Sequence, residues 1–126
     1  MLSKDAKILI VDDMKLIRTA MRKHLNRLGY MNVIEAVDGQ DAVEKHASEH
    51  PGLIFMDVVM PKMTGSEALK QIRKTDQQTP IVMLSSVADE TVVDECEEQG
   101  ILGYVTKPVT DETGPWMIGD LLEQAG

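Results

Sequence analysis

The sequence predicts an α/β domain: a doubly wound, five-stranded parallel sheet with helices on both faces. Three observations predict it. Five short apolar runs punctuate the chain, amphipathic helical stretches alternate with them, and each connection is long enough for a crossover between parallel strands.

Ile8-Leu9-Ile10-Val11 is an unbroken apolar run rich in β-branched residues, as expected of a strand covered on both faces, and it ends at Asp12-Asp13. From Leu16 onward the pattern changes. Ile17, Met21, Leu25 and Leu28 recur at helical spacing, and Gly29 can stop that helix. Val33-Ile34 gives a second strand and Asp38-Gly39 a turn. Ala42, Val43 and Ala47 mark a second helix that must end before Pro51. Leu53-Ile54-Phe55-Met56 is the third strand and again ends at an acid, Asp57.

Val58 to Gly65, broken by Pro61, reads as a loop, followed by a helix with Ala68, Leu69 and Ile72 on one side. Ile81-Val82-Met83-Leu84 is the fourth strand, ending at Ser85-Ser86. The spacing predicts a helix over 89–99 that turns Val92, Val93 and Cys96 inward and six acids mostly outward, closed by Gly100. Leu102 to Val105 is the fifth strand, followed by Lys107-Pro108. The last helix ends at Gln124 and holds Gly114-Pro115 near its start. Interior proline costs about 3 kcal/mol, so this helix is expected to be short or interrupted there. With Pro115 as its first residue, Asp111 to Gly114 would be loop, and Trp116, Leu121 and Leu122 would pack inward.

At 126 residues, 43% of them apolar and 27% charged, the chain is expected to be one folded domain spanning 1–126. Its net charge of −8 disfavours nucleic acid and anionic lipid as partners over most of the surface. The lone Cys96 excludes an internal disulfide and fits the cytoplasm, and no apolar stretch approaches membrane-spanning length. A monomer is expected. Cys96 is assigned to the core. His24, His46 and His50 lack ligand spacing and are assigned to the surface.

Ligands of doubly wound sheets bind beyond the carboxyl ends of the strands. Those ends carry Asp12-Asp13, Asp57, Ser85-Ser86 and Lys107. Singly, such residues are ordinary solvated loop groups. Together they bring three carboxylates to one cleft, where two carboxylates 4 Å apart repel by about 4 kcal/mol at an effective dielectric of 20. Either their pKa values rise or a metal binds. All-oxygen ligands suit a hard cation, Mg²⁺ better than Ca²⁺. A carboxylate, a hydroxyl, a lysine and Mg²⁺ around one point suit phosphoryl transfer, with an aspartate able to act as nucleophile.

Val11-Asp12-Asp13, Phe55-Met56-Asp57 with Met60-Pro61 and Gly65, Leu84-Ser85-Ser86, and Tyr104-Val105-Thr106-Lys107-Pro108 resemble the receiver domains of two-component response regulators. The resemblance runs from Lys7 to about Glu123, and length and spacing are similar to the single-domain CheY type. It implies a flavodoxin-like (CheY-like) fold with strand order 2-1-3-4-5. It implies that Asp57 accepts a phosphoryl group from a phosphohistidine, on a histidine kinase or histidine phosphotransfer protein, or from a small phosphodonor. Asp13, Asp57 and the backbone carbonyl of Val59 would bind Mg²⁺, with Asp12 acting through water. Lys107 would pair with the phosphoryl oxygens, the Ser85 hydroxyl would bond the new phosphate, and Tyr104 would move inward with it. The face made by the helix over 89–99, the fifth strand and the last helix would then change to control a partner protein, with chemotaxis one setting.

Val59 and Val87 stand where many similar proteins carry polar side chains that act on water near the phosphate. Apolar groups cannot orient a nucleophilic water, so slow self-dephosphorylation is expected. Three other functions compete. A Mg²⁺-dependent phosphohydrolase using Asp57 would want an acid two residues on, where Val59 stands. A flavin mononucleotide carrier would place its phosphate against Asp12-Asp13. A receiver-like module could act by protein binding alone.

Overall fold

The computed structural model describes residues 2–85, 94, 96–107, 110 and 114–125. The elements follow in the order β1 (Ile8–Val11), α1 (Lys15–Arg27), β2 (Val33–Ala36), α2 (Gly39–Glu49), β3 (Leu53–Asp57), α3 (Gly65–Arg73), β4 (Ile81–Ser85), β5 (Gly103–Thr106) and α4 (Gly114–Ala125). All strand pairs are parallel, as the residue pattern predicts, and the sheet order is β2-β1-β3-β4-β5, as the resemblance implies. The chain steps from β1 to β2 on one side and then crosses to β3 on the other. The order therefore reverses between β1 and β3, and a crevice opens there at the carboxyl edge.

β1, β3 and β4 are buried on both faces, which is why they read as unbroken apolar runs. Alternate residues divide between two cores. Leu9, Ile54, Met56 and Met83 pack with Ala68, Leu69, Ile72 and Cys96 on the face covered by α2 and α3. Ile8, Ile10, Phe55 and Leu84 pack with Met21, Leu25, Ile118 and Leu122 on the face covered by α1 and α4. Fully burying side chains of this size stabilises by about 1.5–3 kcal/mol each, so both layers are needed to hold the sheet edge in place.

The helix starts are set locally. Asp38 caps α2 by accepting the Asp41 N–H at 2.8 Å, and Thr64 with Glu67 forms a capping box at α3. Gly29, at φ 97°, ends the α1 turn in the left-handed region that glycine takes without strain.

Several expectations are corrected. α4 runs from Gly114, within one residue of the expected start, with Pro115 in its first turn, where a missing N–H costs least, and continues unbroken to Ala125, while 111–113 of the expected loop lie outside the described residues. Leu121 and Leu122 are buried as expected, but Trp116 is 77% exposed. It stands about 200° around the helix from the buried Ile118, so the two cannot share a face. His24 and His46 are buried, not superficial. His24 falls in the inward stripe of α1 beside Met21 and Leu25, and its Nδ1 has no partner among the described residues. His46 is the inward residue of α2 in place of the exposed Ala47, because Asp76 Oδ2 lies 2.8 Å from its Nε2. His50 is exposed, and Cys96 is buried. β5 starts at Gly103, one residue later than expected.

Most of the helix expected over 89–99 lies outside the described residues, as do Ser86, Val87 and Pro108. Of that stretch, Asp94, Glu97 and Glu98 are exposed. Among the described residues no helix is long and apolar enough to cross a membrane.

Candidate functional site

The crevice between β1 and β3 gathers the acids that the strand ends supply. Carboxylate oxygens of Asp12, Asp13 and Asp57 lie within 4.8 Å of one another. Asp12 is fully buried, Asp57 is buried, and Asp13 faces solvent. Asp12 directly follows β1, and its N–H donates to the Ala36 carbonyl of β2 at 3.2 Å. Its Oδ1 accepts the Met14 N–H at 2.9 Å, and its carbonyl accepts from Arg18 Nη1 at 2.8 Å. These bonds tie the start of α1 to the acid.

Lys107, just past β5, reaches across the strand ends. Its Nζ lies 2.8 Å from Asp12 Oδ2 and 3.0 Å from Asp57 Oδ1. The backbone of β4 aims it: the Lys107 N–H donates to the Ser85 carbonyl at 2.7 Å, and Ser85 pairs in register with Thr106. Ser85 itself is buried at the end of β4. Tyr104 is 53% exposed on β5, pointing away from the core that holds its neighbour Val105.

The loop after β3 is built around the acceptor candidate. The Val59 N–H reaches Asp57 Oδ1 at 3.4 Å, while the Val59 side chain is 56% exposed. The Val58 N–H donates to the Leu84 carbonyl, and the Gly65 N–H returns to the Val58 carbonyl at 2.9 Å. Gly65 is required by proximity: a Cβ there would stand 2.1 Å from the Asp57 carbonyl oxygen. Lys62 takes a left-handed backbone at φ 67°, uncommon for a residue with a side chain, and its Nζ lies 3.6 Å from Asp38 Oδ2. Gly39 packs so tightly on Met63 that a Cβ would stand 2.3 Å from the Met63 carbonyl oxygen.

Burial raises the Asp57 carboxyl above its ordinary pKa, the Asp12 charge adds to this, and the hydrogen bond from Lys107 opposes it without prevailing. Burial works to lower Lys107, but its close contacts with the Asp12 and Asp57 carboxylates, and their charge, hold it above its ordinary value. One ammonium therefore serves two buried carboxylates, with a third at the rim. Asp12 Oδ2 is fully buried and has no well-aligned hydrogen-bond donor among the described residues, and it is held by its ion pair with Lys107. An all-oxygen donor set with uncompensated negative charge fits a hard divalent cation.

Of the residues singled out in the sequence, Asp12, Asp13, Asp57 and Lys107 meet at one point, Ser85 lies beside them, and Val59 and Tyr104 lie at the rim. Sequence reasoning missed the anchoring of Asp12 by Met14 and Arg18, which carries no motif signal. It also read Gly65 as a loop end and a motif residue without its packing on Asp57. Its fixed place eight residues after Asp57 is the signal that could have revealed the close approach.

A family model described as the response regulator receiver domain matches residues 8–115. Chemotaxis protein CheY of Bacillus subtilis (strain 168) is 37% identical over 102 residues, which cover 81% of this chain and 85% of that protein. The alkaline phosphatase synthesis transcriptional regulatory protein PhoP of the same organism is 42% identical over 102 residues, covering 81% of this chain and 42% of that protein. Among solved structures, that of the chemotaxis response regulator CheY4 of Vibrio cholerae superimposes with a TM-score of 0.82 at 34% identity, covering 93% of this chain and 98% of that one.

Proposed function

We propose that this chain, which belongs to the response regulator receiver domain family of two-component signalling, is a switch that accepts a phosphoryl group on Asp57. The observation that carries the proposal is the placement of Asp57 Oδ1 3.0 Å from the Lys107 ammonium, with Asp12 and Asp13 in reach.

Asp57 is the nucleophile. One of its oxygens forms a bond to phosphorus as the P–N bond of a phosphohistidine breaks, and the electron pair of that bond returns to the imidazole nitrogen. The product is an acyl phosphate. Lys107 is placed to follow the transferred oxygens, since one ammonium already spans Asp12 and Asp57. The Ser85 hydroxyl is the neutral donor at the adjacent strand end. Asp13 and Asp57, with the Val59 carbonyl, would hold Mg²⁺, and Asp12 would act on it through water. The bound cation would offset the negative charge of the carboxylates and of the phosphoryl group.

Phosphorylation changes a single carboxylate charge into one nearer −2 in a crevice already short of positive charge. Lys107 and Ser85 then shift toward the new oxygens and draw on β4 and β5. A few kcal/mol of contact made in only one state is enough to move a two-state equilibrium and expose a surface to a partner. Tyr104, now exposed, is the side chain on β5 free to turn inward. The phosphodonor would be a histidine kinase or histidine phosphotransfer protein, and chemotaxis is a candidate setting. Turnover of outside phosphoesters is not proposed, because Val59 offers no general acid beside Asp57.

Intact-mass measurement after incubation with Mg²⁺ and a small phosphodonor tests this. A gain of one phosphoryl group that disappears in Asp57→Asn is the expected result. No gain in the parent, or the same gain in the variant, would overturn it.

A further inference from the structure

The loop after β3, residues 58–64, holds a strained turn. The Met63 N–H donates to the Pro61 carbonyl at 2.8 Å across Lys62, whose φ is 67°. A bond between residues two apart, closed over a positive φ, is the rarer hand of γ-turn, and on a residue with a side chain it lasts only where neighbours hold it. Met60 is buried in the core, and the Gly65 N–H bonds the Val58 carbonyl at 2.9 Å. Both act outside the turn at 61–63.

What meets the turn is the start of α2. A Cβ added at Gly39 would stand 2.3 Å from the Met63 carbonyl oxygen and 2.8 Å from the Met63 Cβ. The helix start is itself firmly built. Asp38 Oδ1 accepts the Asp41 N–H at 2.8 Å, Asp41 Oδ2 accepts the Val37 N–H at 3.0 Å, and Asp38 and Gly39 are both buried. The ion pair of Lys62 with Asp38 adds little, because it spans 3.6 Å and the lysine side chain is 75% exposed. Backbone contact, not charge, is the brace.

We infer that Asp38 and Gly39 are positioning residues for the cation site: the start of α2 fixes the turn at 61–63, and through it the place of the Val59 carbonyl. The inference rests on the reading of the crevice as a Mg²⁺ site. The Val59 carbonyl accepts no hydrogen bond among the described residues, so no bond of its own sets its place. It lies two residues before the turn and takes its position from what the loop rests on. The atom that a methyl at position 39 would meet is a backbone oxygen. Such an atom cannot rotate aside as a side chain can, so the loop itself must move. Groups that orient the ligands of a metal change its affinity by roughly 10–100-fold when they are altered.

The test is a calorimetric Mg²⁺ titration of the full chain without a phosphodonor. Gly39→Ala should bind Mg²⁺ about tenfold more weakly, although alanine is the better helix former at that position of α2. Asp38→Ala, which removes the cap, should weaken binding about threefold. Asp38→Asn removes the same charge but caps equally well, and should bind as the parent does. Lys62→Gly keeps the shape of the turn and should stay within about twofold of the parent. Ile72→Val loosens the core under α3 without touching the turn, and parent-like affinity there separates positioning from general loss of stability. Unchanged affinity in Gly39→Ala, or equal losses in Asp38→Ala and Asp38→Asn, would overturn the inference; should Gly39→Ala fail to fold, the Asp38 pair decides it. No Mg²⁺ uptake by the parent is a separate result, which would overturn the cation site and this inference with it.

Discussion

The Lys107 ammonium lies 2.8 Å from the buried Oδ2 of Asp12 and is the one cation that neutralises it among the described residues. The pair spans the sheet from the end of β1 to the end of β5. Removing the lysine leaves two buried carboxylates without a counter-ion.

Lys107→Met is therefore expected to destabilise the metal-free protein by about 3–5 kcal/mol, the cost of orphaning a buried charge. Mg²⁺ should raise the melting temperature of the variant by more than it raises that of the parent, because the cation then supplies the missing positive charge. Thermal melts with Mg²⁺ and with chelator measure both; equal shifts would contradict the account.

Asp57 titrates above the usual carboxylate value because of burial and the Asp12 charge. A carboxyl raised on folding contributes stability below its unfolded pKa and loses it as pH rises through the folded one. At neutral pH the ionised Asp57 thus works against folding when no cation is present. Asp57→Asn should melt higher than the metal-free parent at pH 7, and the gap should close as pH falls toward 4. Melts across that range, with chelator, give the answer.

Asp76 has the opposite sign. Burial alone would raise it, but hydrogen bonds from His46, from the Thr79 hydroxyl and N–H, and from the Gln78 N–H hold its carboxyl well below the ordinary range. Its stabilisation is present above the ordinary value of 3.8 and is lost as pH falls below it. Asp76→Ala should cost about 1–3 kcal/mol at pH 7 and progressively less below pH 4, by denaturant titration at each pH.

Two glycines predict opposite outcomes. Gly65→Ala forces a methyl to within 2.1 Å of the Asp57 carbonyl oxygen, so a loss of about 1–3 kcal/mol is expected, with slower phosphorylation as the acceptor shifts. Gly119 lies in α4 with no neighbouring atom within 4 Å of an added Cβ. Gly119→Ala should stabilise by about 0.5–1 kcal/mol. Parallel urea titrations of both variants decide it.

Val59 presents an apolar side chain to solvent beside Asp57. Val59→Asn should leave stability within about 0.5 kcal/mol and speed loss of the phosphoryl group, since an amide can hold an attacking water where valine cannot. An unchanged decay rate in a mass-spectrometric time course would count against a role for this position.

The legible parts of this fold are those that one physical signal decides. β1, β3 and β4 are covered on both faces, so their apolar runs name them without competition. The strand-end acids follow directly, because the residue after each run must sit at the sheet edge. α4 was harder to read. Trp116 is the largest side chain of its segment and was expected inward, yet Ile118, Leu121 and Leu122 fill the inward arc and turn it out. His46 shows the same limit: its burial depends on Asp76, thirty residues away, which no local pattern reveals. The reach of Lys107 to Asp12 likewise rests on strand order, since β1 and β5 are distant in sequence and are not neighbours in the sheet.

Because Ser85 pairs with Thr106 and its carbonyl receives the next N–H, the lysine is delivered by counting residues along β5. Adding one residue between Gly100 and Gly103 would slide the strand by a single step. Side chains of a strand alternate sides, so the ammonium would turn toward the opposite layer while Val105 left its core for water. The accuracy of this charge is thus a matter of register, and a frame error too small to unmake the sheet would still silence it.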